Sequence, residues 1–292
     1  MSGKQVIYIN GEFVDAADAK VSVYDHGLLY GDGVFEGIRA YNGRVFKLKE
    51  HIDRLYNAAK AIALDIPLSK EQMSEVVLES CRKNGIADGY IRLVVTRGVG
   101  DLGLSPMKCP KATVFCIAAT ITLYPQEMYD NGLKVMVSSV RRNKATIVDP
   151  QVKSLNYLNN ILARIEADRT GAAEALMLTE DGLVAECSAD NLFIVRNGEI
   201  WTPPIHLGIL DGITRSTVIA LAQENGYTVK EKEFTLFNAI TAAECFLTGT
   251  AAELIAVTEL DGKVIGSGRA GDVTKALLSA FQDHTKGNGA KI

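Results

Sequence analysis

Residues 186–215 read ECSADNLFIVRNGEIWTPPIHLGILDGITR, from Glu186 to Arg215. Glu186 closes an apolar run, Leu183-Val184-Ala185, that reads as a strand. The dipeptide Asn197-Gly198 then turns the chain. Gly208 and Gly212 space a loop that runs into a predicted helix at Thr214. Glycines let a backbone turn tightly and approach a ligand closely. The free N–H groups and dipole of a helix start favour a phosphate. An acid in apolar surroundings can hold a basic ring nitrogen protonated. The stretch therefore suits a ligand with a ring nitrogen at one end and a phosphate at the other. Taken singly, each feature also fits a plainer reading, a threonine capping a helix and a glutamate ending a strand.

The rest of the chain bounds the problem. With 292 residues it can hold one large domain or two ordinary ones. Hydrophobic residues make up 47% and charged residues 23%, which is globular composition. A net charge of -4, mixed along the chain, argues against a nucleic-acid or anionic-membrane partner, which needs a clustered basic face. No apolar run approaches the roughly 20 residues of a spanning helix, and MSGKQVIYIN has no signal-peptide core. The 5 cysteines are scattered, odd in number and without C-x-x-C, so a reduced cytoplasmic setting is expected and no metal.

Hairpins are predicted around Asn10-Gly11, Asn42-Gly43 and Asp181-Gly182. Strands are expected over 90–96, 112–119 and 134–139. Helices are expected over 49–64, from Ser69 to Gly85 with Gln72 completing a capping box, and over 155–170, 214–225 and 271–285. A change of character near 121–132 marks a linker between a domain at 1–120 and another at 133–292. Mixed elements with many hairpins predict an α/β (α+β) architecture in two domains.

Pyridoxal phosphate fits the ligand described and requires a lysine. Lys153 stands in Val-Lys-Ser-Leu-Asn-Tyr157, ahead of a predicted helix, with Tyr157 one turn on if that helix includes it. A lysine that attacks a carbonyl must be neutral, so its usual pKa of ~10.4 must be lowered. A solvated lysine is the plain alternative. Gly98-Val-Gly-Asp-Leu-Gly103 matches G-x-G-x-x-G, but Leu104-Ser-Pro-Met-Lys-Cys-Pro cannot open the helix a dinucleotide fingerprint needs.

In its acid, Asn191-Leu-Phe, Thr202 and Leu210-Asp-Gly-Ile-Thr-Arg215, the opening stretch resembles the diagnostic pattern of class IV (fold-type IV) pyridoxal-phosphate aminotransferases. The likeness covers nearly the whole chain. It implies Lys153 as the Schiff-base lysine, Tyr157 beside the cofactor's phenolic oxygen and Glu186 at the pyridine nitrogen. It implies Arg54, Gly212, Ile213, Thr214 and Thr250 at the phosphate, with Leu210 packed on the ring. The fold implied has a smaller N-terminal mixed domain, a larger C-terminal domain with barrel-like β-structure and a site at their interface.

Tyr30-Gly-Asp-Gly-Val-Phe-Glu-Gly-Ile-Arg39 is similar to the branched-chain form of that family. The resemblance implies an apolar pocket shaped by Phe35 and Gly37 with Arg39 at its edge, and Tyr90 and Arg92 serving substrate carboxylates. Thr250 and Ala251 would receive the α-carboxylate, in a loop where Thr248 replaces a usual serine. Tyr124 matches an interdomain tyrosine, and Tyr30 and Leu104 would complete the partner's site in a homodimer or higher homo-oligomer. The activity implied is transamination of leucine, isoleucine and valine with 2-oxoglutarate. Gly31-Asp-Gly33 also occurs in D-amino-acid aminotransferases and aminodeoxychorismate lyases, which are the alternatives.

Overall fold

Asn10 and Asn42 adopt φ of 50°, and Gly11 and Gly43 follow with φ of 105° and 72°. Consecutive positive φ values produce the tight turn whose twist matches paired strands. A computed structural model describes residues 5–120 and 124–292, and residues 121–123 of the expected linker lie outside it. The described residues form two compact units. One holds residues 5–120, 152–157 and 285–292; the other holds 124–151 and 158–284.

In the first unit, seven strands among the described residues form one sheet. Its centre is Gly33–Tyr41, Gly89–Thr96 and Thr113–Ala119, paired antiparallel. Helices Leu48–Ala61 and Lys70–Lys83 cover one face, burying Ile52, Leu55, Met73 and Val77 against Val34, Ile38, Ile91 and Leu93. Ser69 and Gln72 form the predicted capping box. Sequence patterning did not reveal the last strand, Ala290–Lys291, which pairs with Arg44–Val45. Two residues carry no period.

In the second unit, nine strands among the described residues form a mixed sheet with two unpaired ends, a half-barrel. The Asn197-Gly198 and Asp181-Gly182 turns stand where predicted, between Asn191–Arg196 and Glu199–Thr202 and between Glu174–Leu178 and Val184–Cys187. Leu133–Val137 runs parallel to both its neighbours. Helix Gln126–Asn131 occupies part of the stretch read as linker. No helix among the described residues is long and apolar enough to cross a membrane.

Candidate active site

Side chains of strand Gly33–Tyr41 alternate between two faces, so Phe35, Gly37 and Arg39 share one. Across from them, Val94, Arg92 and Tyr90 stand in register. The Arg92 guanidinium lies 4.7 Å over the Phe35 ring, and its Nη2 donates to the Tyr90 hydroxyl at 3.0 Å. A Cβ at Gly37 would come within 2.0 Å of that hydroxyl, so only glycine leaves the tyrosine where it is. Arg39 lies over Tyr41, 4.8 Å from the ring centroid.

Lys153 and Tyr157 belong to the same unit. The helix predicted from residue 155 begins at Leu158, so no helical turn links the two residues. Their segment is held along strand Gly33–Tyr41 instead. The Phe35 amide donates to the Lys153 carbonyl at 3.0 Å, and the Leu155 amide to that of Gly33 at 2.9 Å. Lys153 Nζ still donates to the Tyr157 hydroxyl at 3.0 Å and lies 4.6 Å over the Phe35 ring. Phe35 and Tyr157 meet edge-on at 5.1 Å. An amine, two aromatic rings, a tyrosine hydroxyl and a guanidinium thus share one strip of surface.

The opposite face of the strand carries Glu36, fully buried. Arg54 grips it with a two-pronged ion pair, Nε to Oε1 at 2.7 Å and Nη2 to Oε2 at 2.8 Å. His51 Nδ1 lies 2.8 Å from Oε2. Burial alone would raise the Glu36 pKa, but the charges and hydrogen bonds of Arg54 and His51 outweigh it and hold the carboxyl at about 2. Burial dominates at His51 and lowers its pKa, so the ring is neutral near pH 7 and Nδ1 is the donor.

In the second unit Glu186 is also buried. Its Oε1 pairs with Arg142 Nη2 at 2.7 Å. Its Oε2 accepts from the Leu210 amide at 3.0 Å and from Asn191 Nδ2 at 3.1 Å. Asn191 also donates to the Leu210 carbonyl, fixing that residue at both backbone groups. Arg142 is anchored by the Gly208 carbonyl and by Asn160. Gly208 has φ of 81°, and a Cβ there would meet the Asn143 carbonyl at 2.6 Å.

Helix Ile213–Glu224 starts one residue before the predicted Thr214, and its cap is Gly212 rather than a threonine. Gly212 has no side chain to accept from the first-turn amides, and a Cβ there would lie 2.1 Å from Asn191 Oδ1. Thr248 pairs with Asn191 across the strands, and Thr250 and Ala251 follow in the turn. Tyr124 meets Tyr129 edge-on at 6.4 Å, and burial pushes its phenol pKa up.

The loop rejected as a nucleotide fingerprint is followed by the 3-10 turn Pro106–Lys108 and then a strand, with no α-helix. It docks on helix His26–Tyr30, whose Tyr30 hydroxyl donates to the Leu102 carbonyl at 2.6 Å. Leu104 stands exposed beside it. Sequence reading missed Glu36, His51, Arg142 and the role of the Asn191 amide. Glu36 did leave a signal: an acid at a core-facing strand position between Val34 and Ile38.

A family model for amino-transferase class IV matches residues 33–260. The chain belongs to this family. It is 55% identical over 286 residues to a Methanocaldococcus jannaschii protein with the provisional name branched-chain-amino-acid aminotransferase, covering 98% of each chain. It is 38% identical over 278 residues to D-alanine aminotransferase of Listeria monocytogenes, covering 94% of each. The solved Escherichia coli branched-chain amino acid aminotransferase superposes with a TM-score of 0.95 at 35% identity, covering 98% of this chain and 96% of that one. Another solved branched-chain amino acid aminotransferase, a T.th. protein with pyridoxamine 5'-phosphate, superposes with a TM-score of 0.94 at 39% identity and the same coverage. The chain has the mixed two-domain α/β fold of these class IV aminotransferases.

Proposed function

We propose that the protein transaminates leucine, isoleucine and valine with 2-oxoglutarate, using pyridoxal phosphate. One observation carries the substrate reading: the strip on which Lys153, Phe35, Tyr157, Tyr90 and Arg92 lie together. Such a strip accepts an apolar side chain against the rings and a γ-carboxylate at the guanidinium, which the two half-reactions demand in turn.

The donor set fits the cofactor. Lys153 supplies the amine for its carbonyl carbon. Glu186, held by Arg142, Asn191 and the Leu210 amide, supplies a carboxylate for the ring nitrogen. Arg54, Thr250 and the uncapped helix start at Gly212, Ile213 and Thr214 supply donors for the phosphate. Leu210, fixed at both backbone groups, supplies an apolar surface for the ring. When bound, the cofactor supplies an electron-withdrawing ring that stabilises negative charge developing at the substrate Cα.

Each half-reaction then depends on one proton. Lys153 Nζ takes it from Cα of the donor amino acid and returns one to Cα of the glutamate formed. The Tyr157 hydroxyl, accepting from Nζ at 3.0 Å, keeps the amine aimed along the strip. Glu186 would keep the ring nitrogen of the bound cofactor protonated. Thr250 and Ala251 receive the α-carboxylate, and Arg39 borders the side-chain pocket.

A homodimer is part of the reading. Tyr24, Leu28, Leu102, Leu104 and Met107 are exposed apolar side chains on the helix that carries Tyr30, just before it, and on the loop it holds through Leu102, a grouping that suits an interaction surface. The five unpaired thiols support a cytoplasmic setting. D-Amino-acid transamination is the second reading, since the chain is also similar to D-alanine aminotransferase. Rates with L-leucine and with D-alanine, each against 2-oxoglutarate, separate the two. We expect turnover of L-leucine, and activity confined to D-alanine reverses the assignment.

A further inference from the structure

The strand Gly33–Tyr41 presents its substrate-facing residues on one side and Glu36 on the other, one residue from both Phe35 and Gly37. Glu36 has no exposed surface, whereas the Arg54 side chain it holds keeps 14%. Both carboxylate oxygens are engaged by the arginine, and Oε2 also takes the His51 Nδ1 hydrogen. His51 and Arg54 are three apart on helix Leu48–Ala61 and so lie on the same helical face. A guanidinium is planar and rigid, so two bonds to its Nε and Nη2 edge determine where its remaining edge points.

From this geometry, and resting on the pyridoxal-phosphate reading above, we infer that Glu36 is a positioning residue. Backed by His51, it aims Arg54 at the cofactor's phosphate. The same strand hydrogen-bonds the Lys153 backbone through Phe35, so one rigid element registers the amine and the phosphate-directed guanidinium against each other. A lysine at 54 would carry the charge but could not be oriented in this way.

The test compares ligands with and without the phosphate. Full-length wild-type, Glu36→Gln and Glu36→Asp proteins are stripped of cofactor and titrated with pyridoxal phosphate and with pyridoxal, following the visible absorbance of bound ligand. Wild type should bind the phosphorylated form much more tightly. Glu36→Gln should lose roughly 10- to 10²-fold in pyridoxal-phosphate affinity, the worth of a charged hydrogen bond to the phosphate, with pyridoxal affinity unchanged. Glu36→Asp keeps the charge but shortens the reach by one methylene. It should lose part of the same discrimination, and it carries the test should the glutamine variant not fold.

Equal losses for the two ligands would mean that Glu36 only stabilises the unit, and the inference fails. It fails likewise if both variants keep the wild-type ratio. A wild-type protein that does not distinguish the two ligands overturns the cofactor reading itself, a different result from either.

Discussion

Among the described residues, two buried glutamates, Glu36 and Glu186, are each paired with an arginine, and on the function proposed above the two pairs put the same chemistry to opposite uses. At Glu36 the acid is wholly enclosed and the arginine partly exposed, so the acid is the anchor and the arginine the presented group. At Glu186 acid and arginine are equally buried, but Arg142 is also tied to the Gly208 carbonyl and to Asn160. On the function proposed above, the arginine there is the anchor and the acid is the group offered to a ligand. The donor sets differ accordingly. Arg54 takes both oxygens of Glu36, whereas Arg142 takes one of Glu186 and leaves the other to two N–H donors. A shared motif does not reveal which member works. That depends on which side chain the surroundings immobilise.

The largest predicted effect removes the premise of both uses. Lys153→Ala should lower transamination by about 10⁴-fold or more and abolish the visible absorbance of bound cofactor, with little change in thermal midpoint. Parental turnover of L-leucine by that variant would leave neither acid with a cofactor to serve.

Breaking each pair from its arginine side comes next. Arg54→Met leaves Glu36 enclosed beside His51 without its arginine, and we predict a loss of about 3–5 kcal/mol in unfolding free energy. Arg142→Met leaves Glu186 the Leu210 amide and the Asn191 side chain as donors, so the predicted loss is smaller, roughly 1–3 kcal/mol. Equal losses in urea denaturation would show that the two environments do not differ as described.

The third prediction concerns pH. Glu36 falls from an ordinary 4.5 to about 2 on folding, so its stabilisation is complete above 4.5 and is lost as pH drops toward 2. The loss should be on the order of 3 kcal/mol. His51 is also lowered from 6.5, so folding favours its neutral form and its contribution begins to fall below pH 6.5. Both slopes have the same sign, and stability measured from pH 7 to 2 should decrease throughout. Glu36→Gln should flatten the curve below 4.5, and an unchanged curve there would remove Glu36 as its source.

The smallest effect tests the substrate strip. Gly37→Ala displaces the Tyr90 hydroxyl and should cost up to about 10²-fold in kcat/KM for L-leucine, with stability nearly unchanged. Wild-type kinetics would show that the tyrosine need not lie over Gly37.

Several elements are legible in the sequence because their signals are local. Asn-Gly and Asp-Gly turns, the Ser69 capping box and the helical stripes each depend on residues within a few positions of one another. The start of the helix after Tyr157 was misread because strand pairing with Gly33–Tyr41 holds residues 153–155, a contact more than a hundred positions away. Glu36 stands inside the Tyr30–Arg39 motif, but its partners lie on a helix against the strand's other face, so the motif gives no sign of the pair. Arg142 carried no signal at all, standing in a polar stretch, Arg141-Arg-Asn-Lys144, that reads as an ordinary loop.

The sequence alone determined which functional groups are available: an amine at Lys153, acids at 36 and 186, guanidiniums at 54, 92 and 142, and glycines at 37, 208 and 212. Residue identity and turn chemistry are written locally, and so are the class IV pattern and the elements that carry it. The tertiary structure decided which group anchors and which is presented, and that Lys153 and Tyr157 meet without a helical turn between them. Those outcomes depend on burial and on distances between residues far apart in the chain, which only packing sets.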